Sequence, residues 1–104
     1  MTSPTAKLVE WDDAKRSSNL DKHGLDFFDA ILVLDSPYRL DVDSVRGNEL
    51  RVQSFAYVFE VLTVLTVVHV ERGDALRIVS FRAASDEERL EYHDWLENDY
   101  QDAR

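Results

Sequence analysis

The stretch VLTVLTVVHVERGDALRIVSFR, from Val61 to Arg82, is dense in β-branched residues and broken once, at Gly73-Asp74. That pair suits the two central positions of a primed hairpin turn, so the stretch reads as one long β-hairpin. With Gly73 and Asp74 as the whole loop, Arg72 faces Ala75, Val70 faces Arg77, His69 faces Ile78, Val68 faces Val79 and Leu65 faces Arg82. Alternation of side chains then defines two faces. The first carries Leu62, Val64, Thr66, Val68, Val70, Val79 and Phe81, with Arg72 and Arg77 near the turn. The second carries Val61, Leu65, Val67, Leu76 and Ile78, with His69, Ser80 and Arg82. A hairpin apolar on both sides needs cover on each, from helices, from a partner or from a ligand.

Upstream of the hairpin, Lys7 to Trp11 alternates as a short strand, and Asp12 or Asp13 caps a helix that runs to about Lys22 and stops at Gly24 in a left-handed cap. Asp26 opens a second helix, with Phe27, Ala30, Ile31 and Leu34 at helical spacing, closed by Asp35-Ser36-Pro37. Tyr38 to Asp43 alternates as a half-exposed strand, and Arg46-Gly47-Asn48 turns the chain into a strand from Leu50 to Tyr57. The next turn carries no turn residue and is placed near Val58 to Glu60, since strands seldom exceed about ten residues. Downstream, Ser85 and Glu88 form a capping box that starts a last helix, running to about Asn98 with Leu90, Tyr92, His93, Trp95 and Leu96 on its apolar side. This order predicts an α+β fold: an antiparallel sheet of four to five strands with two N-terminal helices and one C-terminal helix.

At 104 residues and 44% hydrophobic content, residues 1–104 read as a single domain with a modest core. The chain has no cysteine, hence neither a disulfide framework nor a thiolate nucleophile, and a reducing, cytoplasmic setting is the expectation. Neither a signal-peptide core nor an apolar run of membrane-spanning length is present in the sequence. Twelve basic against twenty-one acidic residues give a net charge of −9, which opposes nonspecific attraction to nucleic acid, so any nucleic-acid site must be a local patch. The sequence holds no phosphate-binding glycine loop, no nucleophile elbow and no metal-ligand spacing, so neither a metal nor a cofactor is expected. The pairs Asp12-Asp13 and Glu87-Glu88 are explained as helix-start residues.

Several positions together resemble a known family. Trp11-Asp12, Lys15, Asn19, Lys22-His23-Gly24, Phe27 and Ala30 look like the opening signature of the BrnT ribonuclease toxins. Arg51, Val67-Val68-His69 with Arg72, Arg77-Ile78-Val79-Ser80-Phe81-Arg82-Ala84, Glu88-Arg89 and Tyr92 resemble its later strands and last helix. The resemblance implies a RelE-like fold, metal-independent RNA cleavage, and neutralisation by a cognate DNA-binding antitoxin that also represses the operon. Two departures stand out. Ala56 replaces a glycine that is usual in the family. The last helix is acidic where family members resemble one another in a basic start; from Ser85 to Arg104 there are eight acids against two arginines.

Metal-free RNA cleavage needs a base for the 2′-hydroxyl proton, an acid for the leaving 5′-oxygen, and fixed cations on the phosphorane. Histidine titrates nearest neutrality, which brings forward His23 and His69, with His93 read as structural. Arginine matches phosphate oxygens with a planar fork that stays charged, which suits Arg82, Arg51, Arg72 and Arg77. Lys22 and Tyr92 are candidate substrate contacts. Each has a plainer reading beside the catalytic one. His23 and Lys22 also suit the C-terminus of a helix, His69 a hydrogen-bonded core position, and Tyr92 helix packing. Arg72 and Arg77 also suit solvated strand ends. Arg82, deep in an apolar strand, requires a partner or a ligand. Arg51 shares the Arg77 face only if the unsignalled loop has an even residue count.

Two function classes follow: an RNA-cleaving toxin, or a catalytically weak homologue retained as a protein-binding module. Three short helices suffice to cover one sheet face, so Leu65, Val67, Leu76 and Ile78 are expected to stay partly exposed as an interface. The acidic chain calls for a basic partner, as a DNA-binding antitoxin would be, within a hetero-oligomer, with self-association into a homo-oligomer as the other assembly.

Overall fold

The computed structural model describes residues 8–100. Strand β1 (Leu8–Glu10) leads into helix α1 (Asp13–His23), a 3₁₀ turn (Phe27–Ala30) and the single-turn helix α2 (Ile31–Leu34). Strands β2 (Leu40–Arg46), β3 (Glu49–Val58), β4 (Thr63–Arg72) and β5 (Ala75–Ala83) follow, and helix α3 (Asp86–Asp94) runs on into a π-helical turn (Trp95–Tyr100). The sheet order is β1-β5-β4-β3-β2, with β2 to β5 an antiparallel meander and β1 parallel to β5. The sheet is therefore mixed, where the sequence pattern predicts an antiparallel one. Local alternation makes a strand of the β1 segment but says nothing about its neighbour.

The caps form as their residues dictate. Asp12 accepts the Lys15 N–H, Gly24 takes the left-handed conformation (φ 72°) that ends α1, and Ser85 with Glu88 closes the capping box. Asp26 caps the 3₁₀ turn through the Phe28 N–H and accepts both arms of Arg16, at 2.7 and 2.9 Å. That guanidinium holds the Asp26 carboxyl near about 2. The unsignalled turn occupies the four residues Phe59 to Leu62, and Leu62 takes a left-handed conformation (φ 57°) without a glycine's freedom. Val61 and Leu62 thus belong to the turn rather than to the hairpin strand.

The β4–β5 ladder keeps the expected register from Arg72↔Ala75 to His69↔Ile78, then shifts by one residue at a bulge. Beyond it Val68 faces Ser80, Val67 faces Phe81 and Thr66 faces Arg82. The extra residue exchanges the faces of everything that follows on β5. Phe81 turns to the side of Leu65, Val67, His69 and Ile78, and Arg82 turns to the opposite side.

The first side, covered by the 3₁₀ turn and α2, holds the main core of Phe27, Ala30, Val33, Leu34, Leu65, Val67, Leu76, Ile78 and Phe81. Leu65, Val67, Leu76 and Ile78, expected to be partly exposed, are buried here. Each such side chain contributes about 1.5–3 kcal/mol through lost apolar exposure. The second side carries a smaller cluster of Phe55, Val64, Ala84 and Tyr92 under α3. Beyond the end of β1, α1 takes over the edge of β5. The Asn19 amide accepts the Phe81 N–H (3.1 Å) and donates to the Phe81 carbonyl (2.7 Å), completing the ladder with a side chain.

Candidate active site

The bulge assembles the site. Residues facing each other across a ladder share a side, so the α3 face of the sheet collects Ser44 and Arg46 from β2, Arg51 and Gln53 from β3, Val68 from β4, and Ser80 and Arg82 from β5. These residues, with Val45 and Val79, line an open depression of about 200 Å³. The four-residue loop before β4 is even, which puts Arg51 on the Arg77 face. A second hollow of about 250 Å³, lined by Lys15, Ser18, Asn19, Lys22, His23, Val79 and Ser80, adjoins the first across Val79 and Ser80. Lys22 and His23 reach it because they form the last turn of α1, which Asn19 anchors to the bulged edge of β5.

The charges are mostly held. Arg82 makes a two-pronged pair with Glu88, Nη1 to Oε1 at 2.8 Å and Nη2 to Oε2 at 2.9 Å. The same carboxylate accepts the Thr66 hydroxyl (3.1 Å) and the Ser85 N–H (2.9 Å). The Arg82 fork holds the Glu88 carboxyl down at about 2, against burial that acts the other way. Arg51 donates Nε–H to Glu49 (3.1 Å) and Arg77 donates to Glu10 (3.0 Å). Arg46 makes no ion pair among the described residues. The depression therefore offers three guanidinium groups, two of them already sharing charge with carboxylates.

The remaining sequence candidates lie elsewhere. His69 is on the opposite face, 1% exposed, with Nε2 2.8 Å from Ser54 Oγ. Ser54 gives its own hydrogen to Asp41 Oδ1 (2.6 Å), so the imidazole Nε2 is the donor in that pair. Arg72 is exposed at the hairpin end of β4, and neither it nor Arg77 lines the depression. Tyr92 is buried and donates its hydroxyl to the Tyr38 carbonyl (2.7 Å), with its pKa raised by that burial. In sequence Arg46 reads as a turn residue; the alternation of Leu40, Val42 and Ser44, carried one step further, puts it on the site face. Among the described residues, no three His, Asp or Glu side chains are gathered as metal ligands, and no helix is long and apolar enough to cross a membrane.

No curated protein matches the chain. A family model described as ribonuclease toxin, BrnT, of type II toxin-antitoxin system matches residues 11–88, a span running from Trp11 through α1 and all four long strands to Glu88. The chain accordingly belongs to the BrnT family of ribonuclease toxins of type II toxin–antitoxin systems.

Proposed function

We propose that residues 1–104 act as one domain of RelE-like type that cleaves RNA without a metal ion, at the depression between β2, β3 and β5. The observation that carries this reading is the gathering of Arg46, Arg51 and Arg82 on one face, beside a hollow holding Lys22 and His23. A scissile phosphate seated on Arg46 and Arg51 has its non-bridging oxygens met by planar forks whose charge persists as the phosphorane forms. The 2′-oxygen attacks phosphorus as its proton passes to a base, and the bond to the 5′-oxygen breaks as that oxygen takes up a proton. The products are a 2′,3′-cyclic phosphate and a 5′-hydroxyl end. His23 is the proton-transfer group of this scheme, because it lines the adjoining hollow and its imidazole can both take and give a proton. Lys22 is its neighbouring phosphate contact. Arg82 is locked to Glu88 and acts as a positioned, partly neutralised wall. Buried His69 and Tyr92, and Arg72 and Arg77 outside the depression, have no part in it.

The second reading, a catalytically weak homologue kept for binding, draws its support from Glu49 and Glu88, which occupy two of the three arginines that phosphate would need. The test is induced expression in a host without the antitoxin, followed by growth and total-RNA integrity. Growth arrest with RNA fragmentation, lost in Arg51→Ala, is the expected result. Normal growth with intact RNA at high expression favours the binding module. An antitoxin of the type II system is the partner of either form, and the net charge of −9 favours a basic, DNA-binding one.

A further inference from the structure

In the 3₁₀ turn and α2, FFDAILVL, every residue but Asp29 is apolar, yet only Phe27, Ala30, Val33 and Leu34 face the core. Phe28 stands 70% exposed, and Ile31 and Leu32 beside it are also open. A helix apolar all round is normally covered all round. Two adjoining grooves run along this open side and share Ile31 and Leu32. One, of about 420 Å³, continues to Val9 and Trp11; the other, of about 520 Å³, continues to Tyr38, Tyr57 and Phe59, the last 79% exposed. Among the described residues, the charged side chains lining the two grooves are acidic: Asp29, Asp35 and Glu60.

We propose that this stripe is the docking surface for an amphipathic helix of the antitoxin, whose apolar side fills the two grooves and whose flanks carry Lys and Arg. The inference rests on the toxin–antitoxin reading for the existence of that partner, and on the groove for where and how it binds. Apart from Val9 on the three-residue edge strand β1 and Tyr57 and Val58 at the end of β3, the described walls are helix, turn and loop, so an entering segment binds chiefly through side chains, as a helix in a groove does. The acidic rim attracts a basic flank and repels both phosphate and a second copy of this acidic chain. The helical wall of this surface covers the opposite side of the sheet from the arginine depression, and only its Tyr57 end reaches the depression's face, so the antitoxin's anchor is separate from the part of it that shields the site.

The test measures binding of the full-length chain to the product of the adjoining gene, by titration calorimetry, with light scattering on the chain alone. Ile31→Glu and Leu32→Glu are expected to raise Kd at least about tenfold each. Asp29→Lys with Glu60→Lys is expected to weaken binding and flatten its salt dependence. Leu90→Glu, at an exposed position on α3, is expected to leave Kd unchanged. Circular dichroism checks the fold, and Phe28→Ala takes the place of any variant that unfolds. Wild-type binding that survives all these changes overturns the surface while leaving the partner intact. Failure of the wild-type chain to bind at all removes the partner, and the proposal with it. A wild-type homodimer that the same changes dissociate assigns the stripe to self-association and overturns the proposal as well.

Discussion

Replacing Glu88 with Gln removes the charge at the junction of sheet and last helix while keeping the side chain's shape. In the wild-type chain this carboxylate accepts two bonds from Arg82, one from Thr66 and one from the Ser85 N–H, and it sits in the first turn of α3. Its pKa falls from an ordinary 4.5 to about 2, a differential stabilisation of the charged form of about 3 kcal/mol before solvent screening. The Arg82 side chain is 26% and the Glu88 side chain 14% exposed, so solvent screening reduces this to about 1–2 kcal/mol. A domain of this size should lose about 4–8 °C of Tm per kcal/mol. The sign of the pH dependence follows from the depressed pKa. The contribution is full above 4.5 and is lost as pH falls toward about 2, so the gap between wild type and Glu88→Gln should close over that window. The Asp26 carboxyl, held near about 2 by Arg16, titrates in both proteins and cancels in the difference. Urea unfolding followed by circular dichroism near neutrality and at about pH 3 measures the gap. An equal gap at both pH values, or none near neutrality, refutes the reasoning.

Asn19→Ala strands both backbone groups of Phe81 at a buried edge and should cost about 2–4 kcal/mol, measured by urea unfolding. Tyr92→Phe should cost about 1 kcal/mol through the lost bond to Tyr38 and leave growth inhibition unchanged, separating packing from chemistry. Arg82→Ala, which uncovers the Glu88 carboxylate, should lower both stability and activity; Arg46→Ala should lower activity alone, checked by a thermal melt beside a cleavage assay.

Much of the fold is legible because local chemistry states it: Gly73-Asp74 sets the hairpin register near the turn, and Asp12, Gly24, Ser85 and Glu88 bound their helices. The site is less legible, because one inserted residue decides it. Val79 is a β-branched residue within an apolar run, and nothing distinguishes it from its neighbours as the residue absorbed by a bulge. Reading straight through it puts Arg82 beside His69, whereas the ladder puts the two on opposite faces. The cover over Leu65, Val67, Leu76 and Ile78 is hard to read for a related reason. Eight residues of 3₁₀ turn and α2 bury one apolar side and leave another open, so the exposed stripe lies on the helix and not on the sheet. Strand length places the turn at Phe59 to Leu62 only roughly, since Leu62 adopts its left-handed conformation with no glycine or asparagine to announce it.

Metal-free RNA cleavage at the Arg46–Arg51–Arg82 depression is the proposed activity. Its most direct test is incubation of the purified chain with RNA in excess EDTA, with product ends identified by mass spectrometry, beside the Arg46→Ala and Arg51→Ala double variant. Fragments ending in 2′,3′-cyclic phosphate and 5′-hydroxyl are expected from the wild type, with a rate loss of at least about a hundredfold in the double variant at unchanged Tm. Cleavage that stops on chelation, or that continues undiminished in the double variant, contradicts it.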